Sequence, residues 1–238
     1  MKTYGIELET SSIGIGTAQA ALDRAGLAWE CKPDGTNGVD AEAVSPILND
    51  GTLNETLTAA RALARAGATV NKQTGYHVHL GADYYGVNAI AALVHNWYTA
   101  ANGIGALVAK SRLSNRYCLH SLSERDIDYW GETIRNNHIN NNAVSTGRFM
   151  SLNLNSYDRH GTIEFRLHHG TLNGKKIEAW AKFCESLASF SLNGGTLSAG
   201  TGSKLLDCFE ILETLTAANT LDTPTAEYLK QRATELNG

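Results

Sequence analysis

The 238-residue sequence predicts an α+β fold, an antiparallel sheet with one polar face and helices packed on the other. Five short stretches alternate with the period of a strand, each placing acids, histidines or amides on one side and small or apolar residues on the other. Stretches with helical spacing of apolar residues separate them, and the chain beyond about residue 173 is helical throughout.

The first strand spans residues 3–9, with Gly5, Glu7 and Glu9 on one face and Tyr4, Ile6 and Leu8 on the other. Residues 17–25 read as a small-residue helix closed by Gly26. A strand at 27–32 is broken by Pro33-Asp34-Gly35, where Pro sets φ and Gly accepts a positive φ. Residues 40–45 place Asp40, Glu42 and Val44 together and stop at Pro46. Thr52 and Glu55 have capping-box spacing, and the helix they open carries Leu53, Leu57, Ala60 and Ala64 on one stripe up to Gly67. The strand at 76–80 sets His77 and His79 against Tyr76, Val78 and Leu80.

A long helix is expected over 87–108, with Gly103 and Gly105 as points of division. A loop at 111–118 carries Arg112 and Arg116, and Ser123 with Asp126 opens a helix towards Arg135. The asparagine-rich run 136–142 reads as a mobile loop. Residues 151–155 put Ser151, Asn153 and Asn155 on the polar face and pair with 162–168 through a short turn at 157–161. In 162–168 the polar face holds Thr162, Glu164, Arg166 and His168. Three helices finish the chain: 173–192, buried along Ile177, Trp180, Cys184 and Leu187; 203–218; and one with Thr223 as N-cap and Pro224 at N1. Without repeats or long linkers, residues 1–238 read as one domain.

Composition narrows the function. With 20 Lys+Arg against 24 Asp+Glu, a formal charge of -4 and no basic stripe, the chain is not built to neutralise a nucleic-acid backbone. No apolar run approaches the roughly 18 residues of a membrane span, and a signal peptide is not expected, since the N-terminus reads as a strand without a charged region followed by an apolar one. Cys31, Cys118, Cys184 and Cys208 lack C-x-x-C spacing and fit buried thiols in a reducing cytoplasm.

Taken singly, Glu7 or Glu42 is most simply a solvated glutamate, and the solvated edge of a sheet would explain one such strand. Together, Glu7, Glu9, Glu42 and Glu164 on one face would cost several kcal/mol in mutual repulsion unless something cationic sits among them. Carboxylates with one or two imidazoles suit Mg²⁺ or Mn²⁺ beside phosphates, and H-x-H on a strand offers two ligands at His77 and His79. His95, His120, His138 and His160 read as surface. Arg112, Arg116, Arg148 and Arg166 lie in loops or strands, where guanidinium can capture phosphate or carboxylate. A metal-dependent hydrolase using the H-x-H and carboxylates, or a non-catalytic binding surface, are the competing readings.

Gly5-Ile6-Glu7-Leu8-Glu9, Glu42-Ala43-Val44-Ser45-Pro46, Gly75-Tyr76-His77-Val78-His79, Arg148 before Leu152-Asn153-Leu154, and Thr162-Ile163-Glu164-Phe165-Arg166-Leu167 with Gly170-Thr171 form an ordered series. The series resembles the amidoligases of the glutamine synthetase-like carboxylate-amine ligase superfamily. The resemblance implies a curved antiparallel sheet with a concave active-site face, and an ATP-dependent ligase that joins a small-molecule or peptide carboxylate to an amine through an acyl phosphate. It implies metal ligands at Glu7, Glu9, Glu42, Glu164 and His77 or His79, and catalytic roles for Arg166, Arg148 and Glu42. Nucleotide contacts are expected from Arg112, Arg116, Asn153 and Arg166, with residues 136–147 closing as a lid. Only three residues precede Tyr4, so the small N-terminal domain of glutamine synthetase itself is not expected, and the amine donor and oligomeric state stay open.

Overall fold

The computed structural model describes residues 2–143 and 149–238. The alternating stretches form β1 (Tyr4–Thr10), β2 (Glu30–Lys32), β3 (Ala41–Val44), β4 (Tyr76–Gly81), β5 (Leu152–Asn153) and β6 (Thr162–Phe165). They make one six-stranded sheet in the order β2-β3-β1-β4-β6-β5, every neighbouring pair antiparallel. The fold is therefore α+β. A period of two puts Ile6, Leu8, Tyr76, Val78, Ile163 and Phe165 on the face that the helices cover, where all are buried.

The helices are α1 (Ile15–Arg24), α2 (Glu55–Arg65), α3 (Val87–Thr99), α4 (Ala101–Ile104), α5 (Lys110–Leu113), α6 (Glu124–Arg135), α7 (Asn155–His160), α8 (Gly174–Leu192), α9 (Lys204–Ala217) and α10 (Thr223–Asn237). Helix α8 lies behind the sheet, where its Ile177 carbonyl accepts a 2.8 Å hydrogen bond from the Tyr76 hydroxyl. Trp97 of α3 meets Phe165 edge-on at 5.1 Å and Trp180 of α8 at 6.2 Å. The expected stripe Ile177, Trp180, Cys184 and Leu187 is buried, as are all four cysteines, none of them in a disulfide. Among the described residues no helix is long and apolar enough to cross a membrane.

Several expectations are corrected, each for a local reason. The strand expected at 27–32 shortens to three residues, because Leu27 N–H bonds back to the Leu22 carbonyl and closes α1. Asp40 lies just outside β3: its N–H donates to Thr10 O at 2.8 Å and its carboxylate accepts from Ser12 N–H at 2.7 Å. Thr52 and Glu55 form no capping box: the Thr52 hydroxyl accepts from Asn49 N–H, and the buried stripe of α2 is Thr56, Ala59, Ala60 and Leu63. The long helix divides at Ala100 into α3, α4 and a 3₁₀ turn at Gly105–Leu107. At Gly103 a Cβ would meet the backbone of Asp207 at 2.8 Å and of Cys208 at 2.9 Å, so glycine there sets how closely α4 approaches α9.

Between β5 and β6 the chain forms α7 instead of a tight turn, closed by Gly161 at φ 62. Ser151 and Asn155 lie outside β5: the Ser151 hydroxyl accepts from Trp97 Nε1 at 2.9 Å, and Asn155 begins α7. Strand β6 ends at Phe165 because Arg112 claims the next carbonyls, Nη2 donating to Arg166 O at 2.7 Å and Nε to Leu167 O at 3.1 Å. Beyond that point His168 turns into the core, edge-on to Tyr76 at 5.4 Å, instead of joining the polar face. His120 is buried too, hydrogen-bonded to Ser151 Oγ and Ala101 O. The N-cap of α10 is Asp222, which accepts from Thr225 N–H at 2.9 Å, one residue before the expected Thr223.

Candidate active site on the polar sheet face

The opposite face carries Glu7 and Glu9 of β1, Glu42 of β3, His77 and His79 of β4, Asn153 of β5 and Glu164 of β6. Antiparallel register sets Glu9 beside Glu42, Glu7 beside His77, and His79 beside Glu164, which in turn faces Asn153. His77 Nδ1 lies 3.0 Å from Glu7 Oε2 and 3.6 Å from Glu164 Oε1, while its Nε2 is 3.5 Å from Glu9 Oε1. His79 Nε2 lies 3.2 Å from Glu7 Oε1, and its Nδ1 is 3.0 Å from Thr162 Oγ1. Gly75 makes room for this: a Cβ there would stand 2.7 Å from His77 Nε2, and its N–H donates to Glu9 Oε2 at 2.5 Å.

Glu164 is buried and heavily bonded. Asn153 Nδ2 donates to its Oε2 at 2.5 Å, and Arg166 Nη1 pairs with its Oε1. Asn153 is held in turn by Asn141, whose amide donates to Asn153 Oδ1 at 2.8 Å and accepts from Leu154 N–H. Within the run expected as a mobile loop, Asn141 is thus bonded to β5 and the start of α7, and Trp130 Nε1 donates to Asn140 O at 2.7 Å, so these two residues are hydrogen-bonded into the fold. Arg148 and residues 144–147 of the expected lid lie outside the described residues.

The charges do not balance evenly. Burial pushes the Glu7 carboxyl up, but hydrogen bonds from His77 and His79 outweigh it and hold the group well below the usual range. Burial likewise opposes ionisation of Glu164, yet Arg166, His79 and His77 keep its value low. Against the cost of burial, the Glu7 hydrogen bond and the Glu164 charge favour protonated His79. Glu42 is different. Burial, then the charges of Glu7, Glu9 and Asp34, push its carboxyl up to about 8, and no hydrogen bond or ion pair reaches it among the described residues. Arg166 has an orphan of its own, a buried Nε–H with no acceptor among the described residues.

A cavity of about 490 Å³ lies over this cluster, walled by the Pro33-Asp34-Gly35 turn on one side and α7 on the other. A second cavity of about 470 Å³ shares Glu7, Glu42, His79 and His160 and is more apolar, with Gly5, Val44 and Ile47 in its lining. Three donor sets have ligand atoms within 4.8 Å of one another: Glu7, His79 and Glu164; Glu7, Glu42 and His77; and Glu9, Asp34 and Glu42. All six residues expected as metal ligands fall in these sets.

The arginines separate. Arg166 lines the cavity, Arg112 is buried as a clamp on main-chain carbonyls, and Arg116 is exposed, donating to the Tyr117 hydroxyl with its guanidinium over that ring. Sequence reasoning missed Asp34, which it took only as a turn residue, and Arg159 and His160 on α7, whereas Asn155, expected on the polar face, does line the cavity, from the start of α7. Asp34 had a signal, an acid next to a strand that neighbours Glu42. Arg159 had none, since the helix that carries it was read as a turn.

The chain belongs to the amidoligase family: the family model described as "Putative amidoligase enzyme" matches residues 24–188. The match spans Asp34, Glu42, His77, His79, Asn153, Arg159, Glu164 and Arg166, while Glu7 and Glu9 precede it. The family is one of enzymes of ligase type. Among curated proteins, none matches the chain.

Proposed function

We propose that the chain is an ATP-dependent carboxylate-amine ligase with a glutamine synthetase-like catalytic sheet, using Mg²⁺ or Mn²⁺. The observation that supports this most is the convergence of Glu7, Glu9, Glu42, His77, His79 and Glu164 on one sheet face of an amidoligase chain. The donors fit hard divalent cations, being mostly carboxylate oxygens with one imidazole in each of two sets. Glu42, without a partner among the described residues and raised to about 8, is what an acid gathered around a cation should look like without it. Glu7, His79 and Glu164 would hold one ion, and Glu9, Asp34 and Glu42 another. Bound there, such ions would neutralise charge on a transferring phosphoryl group.

The chemistry needs two displacements. A substrate carboxylate oxygen attacks the γ-phosphorus of ATP, ADP leaves, and an acyl phosphate results. The amine then attacks the acyl carbon, orthophosphate leaves, and the nitrogen loses a proton to give the amide. Arg166 supports the first step, since Glu164 fixes its guanidinium and its Nε–H lacks a partner among the described residues. Asn153 supports it indirectly by orienting Glu164. The walls of the cavity would keep water from the acyl phosphate.

A thermal-shift matrix of Mg²⁺, Mn²⁺ and Zn²⁺ with and without ADP tests this reading. Metal with nucleotide should stabilise more than the sum of either alone, because Mg²⁺ keeps its waters and shares ligands with phosphate. A ligand at about 100 times its dissociation constant adds roughly 2.7 kcal/mol, an easily measured shift. Stabilisation by Zn²⁺ or Mn²⁺ alone, with ADP adding nothing, would favour a metal-dependent hydrolase instead. Mass spectrometry of ADP-coupled products from pooled carboxylates and amines would then identify the substrates.

A further inference from the structure

We propose that Arg159 on α7 anchors the polyphosphate of the nucleotide, which enters between α7 and the Pro33-Asp34-Gly35 turn. This rests on the nucleotide dependence proposed above and adds the place where the phosphates are held. A polyphosphate over this face meets Glu7, Glu42, Glu164 and Asp34, and Arg166, with Nη1 paired with Glu164, offers its Nε–H only at the transferring phosphoryl group. Divalent ions can offset part of that repulsion, but a wall of opposite sign is still needed to hold the tail in register. Arg112 cannot supply it, because its guanidinium is buried on the Arg166 and Leu167 carbonyls. Arg116 cannot either, since it stacks on Tyr117 and lines neither cavity over the face. Arg159 lines the 490 Å³ cavity, is exposed, and pairs with no carboxylate or other acceptor among the described residues.

The backbone around it is built to aim it. A hairpin between β5 and β6 needs only a few residues, yet this one contains a six-residue helix. Ser156 Oγ ties that helix to the Thr162 carbonyl at 2.7 Å, Asn155 Oδ1 accepts from Asn141 N–H at 2.9 Å, and Gly161 at φ 62 ends it. Held at both ends by strands of the reactive face, α7 carries Arg159 to the cavity wall opposite the 33–35 turn. His160, the next residue, lines both cavities and marks their boundary. With the polyphosphate in the first cavity, the more apolar second one is left to the organic substrate.

The test is titration of the full chain with Mg·ADP and with Mg·tripolyphosphate, comparing wild type, Arg159→Gln, Arg159→Lys and Arg61→Gln, the last an exposed arginine on α2. Arg159→Gln should weaken both ligands at least tenfold, Arg159→Lys less, and Arg61→Gln within twofold. Melting temperature without ligand should not change, since the guanidinium has no hydrogen-bond or ion-pair partner among the described residues. If wild type binds Mg·ADP and Arg159→Gln binds it within twofold, this assignment falls while the ligase reading stands. A loss with ADP but not with tripolyphosphate would overturn it too, because Arg159 would then read base or ribose. A wild type that binds neither ligand would remove both readings.

Discussion

On the helix-covered face, Ile6, Val78, Ile163 and Phe165 are wholly buried and in contact with one continuous apolar core. One residue away along the same strands, His77 and His79 each bring a ring nitrogen within 4 Å of carboxylate oxygens of both Glu7 and Glu164. Apolar contacts are non-directional and each adds to the rest, so the covered face is stable as it stands. Charges on the other face either find a partner, as Glu164 does in Arg166 and Asn153, or oppose their neighbours, as Glu42 does. Under the proposed function, that face would be completed by what it binds. Substitutions on the two faces should therefore differ in sign as well as size.

The largest effect is expected from the covered face. Phe165→Ala removes a wholly buried ring packed on Trp97 and should cost about 3–5 kcal/mol in denaturant unfolding. A loss under 1 kcal/mol would mean that the helices do not depend on this contact. On the polar face Glu164→Gln keeps the shape but leaves Arg166 buried beside a neutral amide. It should destabilise by about 3 kcal/mol and abolish ligase turnover together. Unchanged stability would break the view that Glu164 is the satisfied acid of the cluster.

Where the ladder is regular, a period of two was enough to read both faces. Glu7, Glu9, Glu42, His77, His79 and Glu164 sit where alternation places them because each lies inside a paired strand. His168 lies two residues past the same alternation from Arg166, yet it is in the core, since Arg112 ends β6 by taking its carbonyls. That capture depends on a guanidinium more than fifty residues earlier in the chain, a contact no local pattern contains. His120 fails for the same reason, because only the packed fold brings Ser151 and Ala101 to its two nitrogens. The asparagine run misled by composition: short amides that suggest mobility also suit a chain of hydrogen bonds from Asn141 through Asn153 to Glu164.

His120 offers a measurement of that buried polar chemistry away from the site. Burial lowers its value from 6.5 to about 4, against the backbone hydrogen bond to Ala101, so the folded protein keeps it neutral. The unfolded chain takes up the proton first as pH falls. Stability is therefore full above about 6.5 and is lost as pH drops towards about 4, by up to about 2–3 kcal/mol from this residue. Burial lowers His169 to about 4 as well and contributes in the same window. His120→Asn should flatten the slope, and an unaltered slope would place the acid lability elsewhere.

The smallest effect is the sharpest test of the comparison, because it should have the opposite sign. Glu42 is raised from 4.5 to about 8, whereas an unfolded glutamate ionises near 4.5, so the unfolded chain releases its proton first as pH rises. Its contribution to stability is full below about 4.5 and is lost as pH climbs through about 8. Glu42→Gln removes the ionisation and its conflict with Glu7, Glu9 and Asp34, and makes no new orphan, since Glu42 has no partner to abandon among the described residues. The variant without ligand should therefore be more stable than wild type at pH 8, by about 1 kcal/mol after solvent screening, and indistinguishable from it at pH 4. Under the proposed function it should also lose the stabilisation that Mg²⁺ with ADP gives wild type. Thermal unfolding at both pH values, with and without Mg·ADP, reads both effects in one set of samples. A variant less stable than wild type at pH 8 would show that Glu42 is already satisfied, and the polar face would then need nothing bound to complete it.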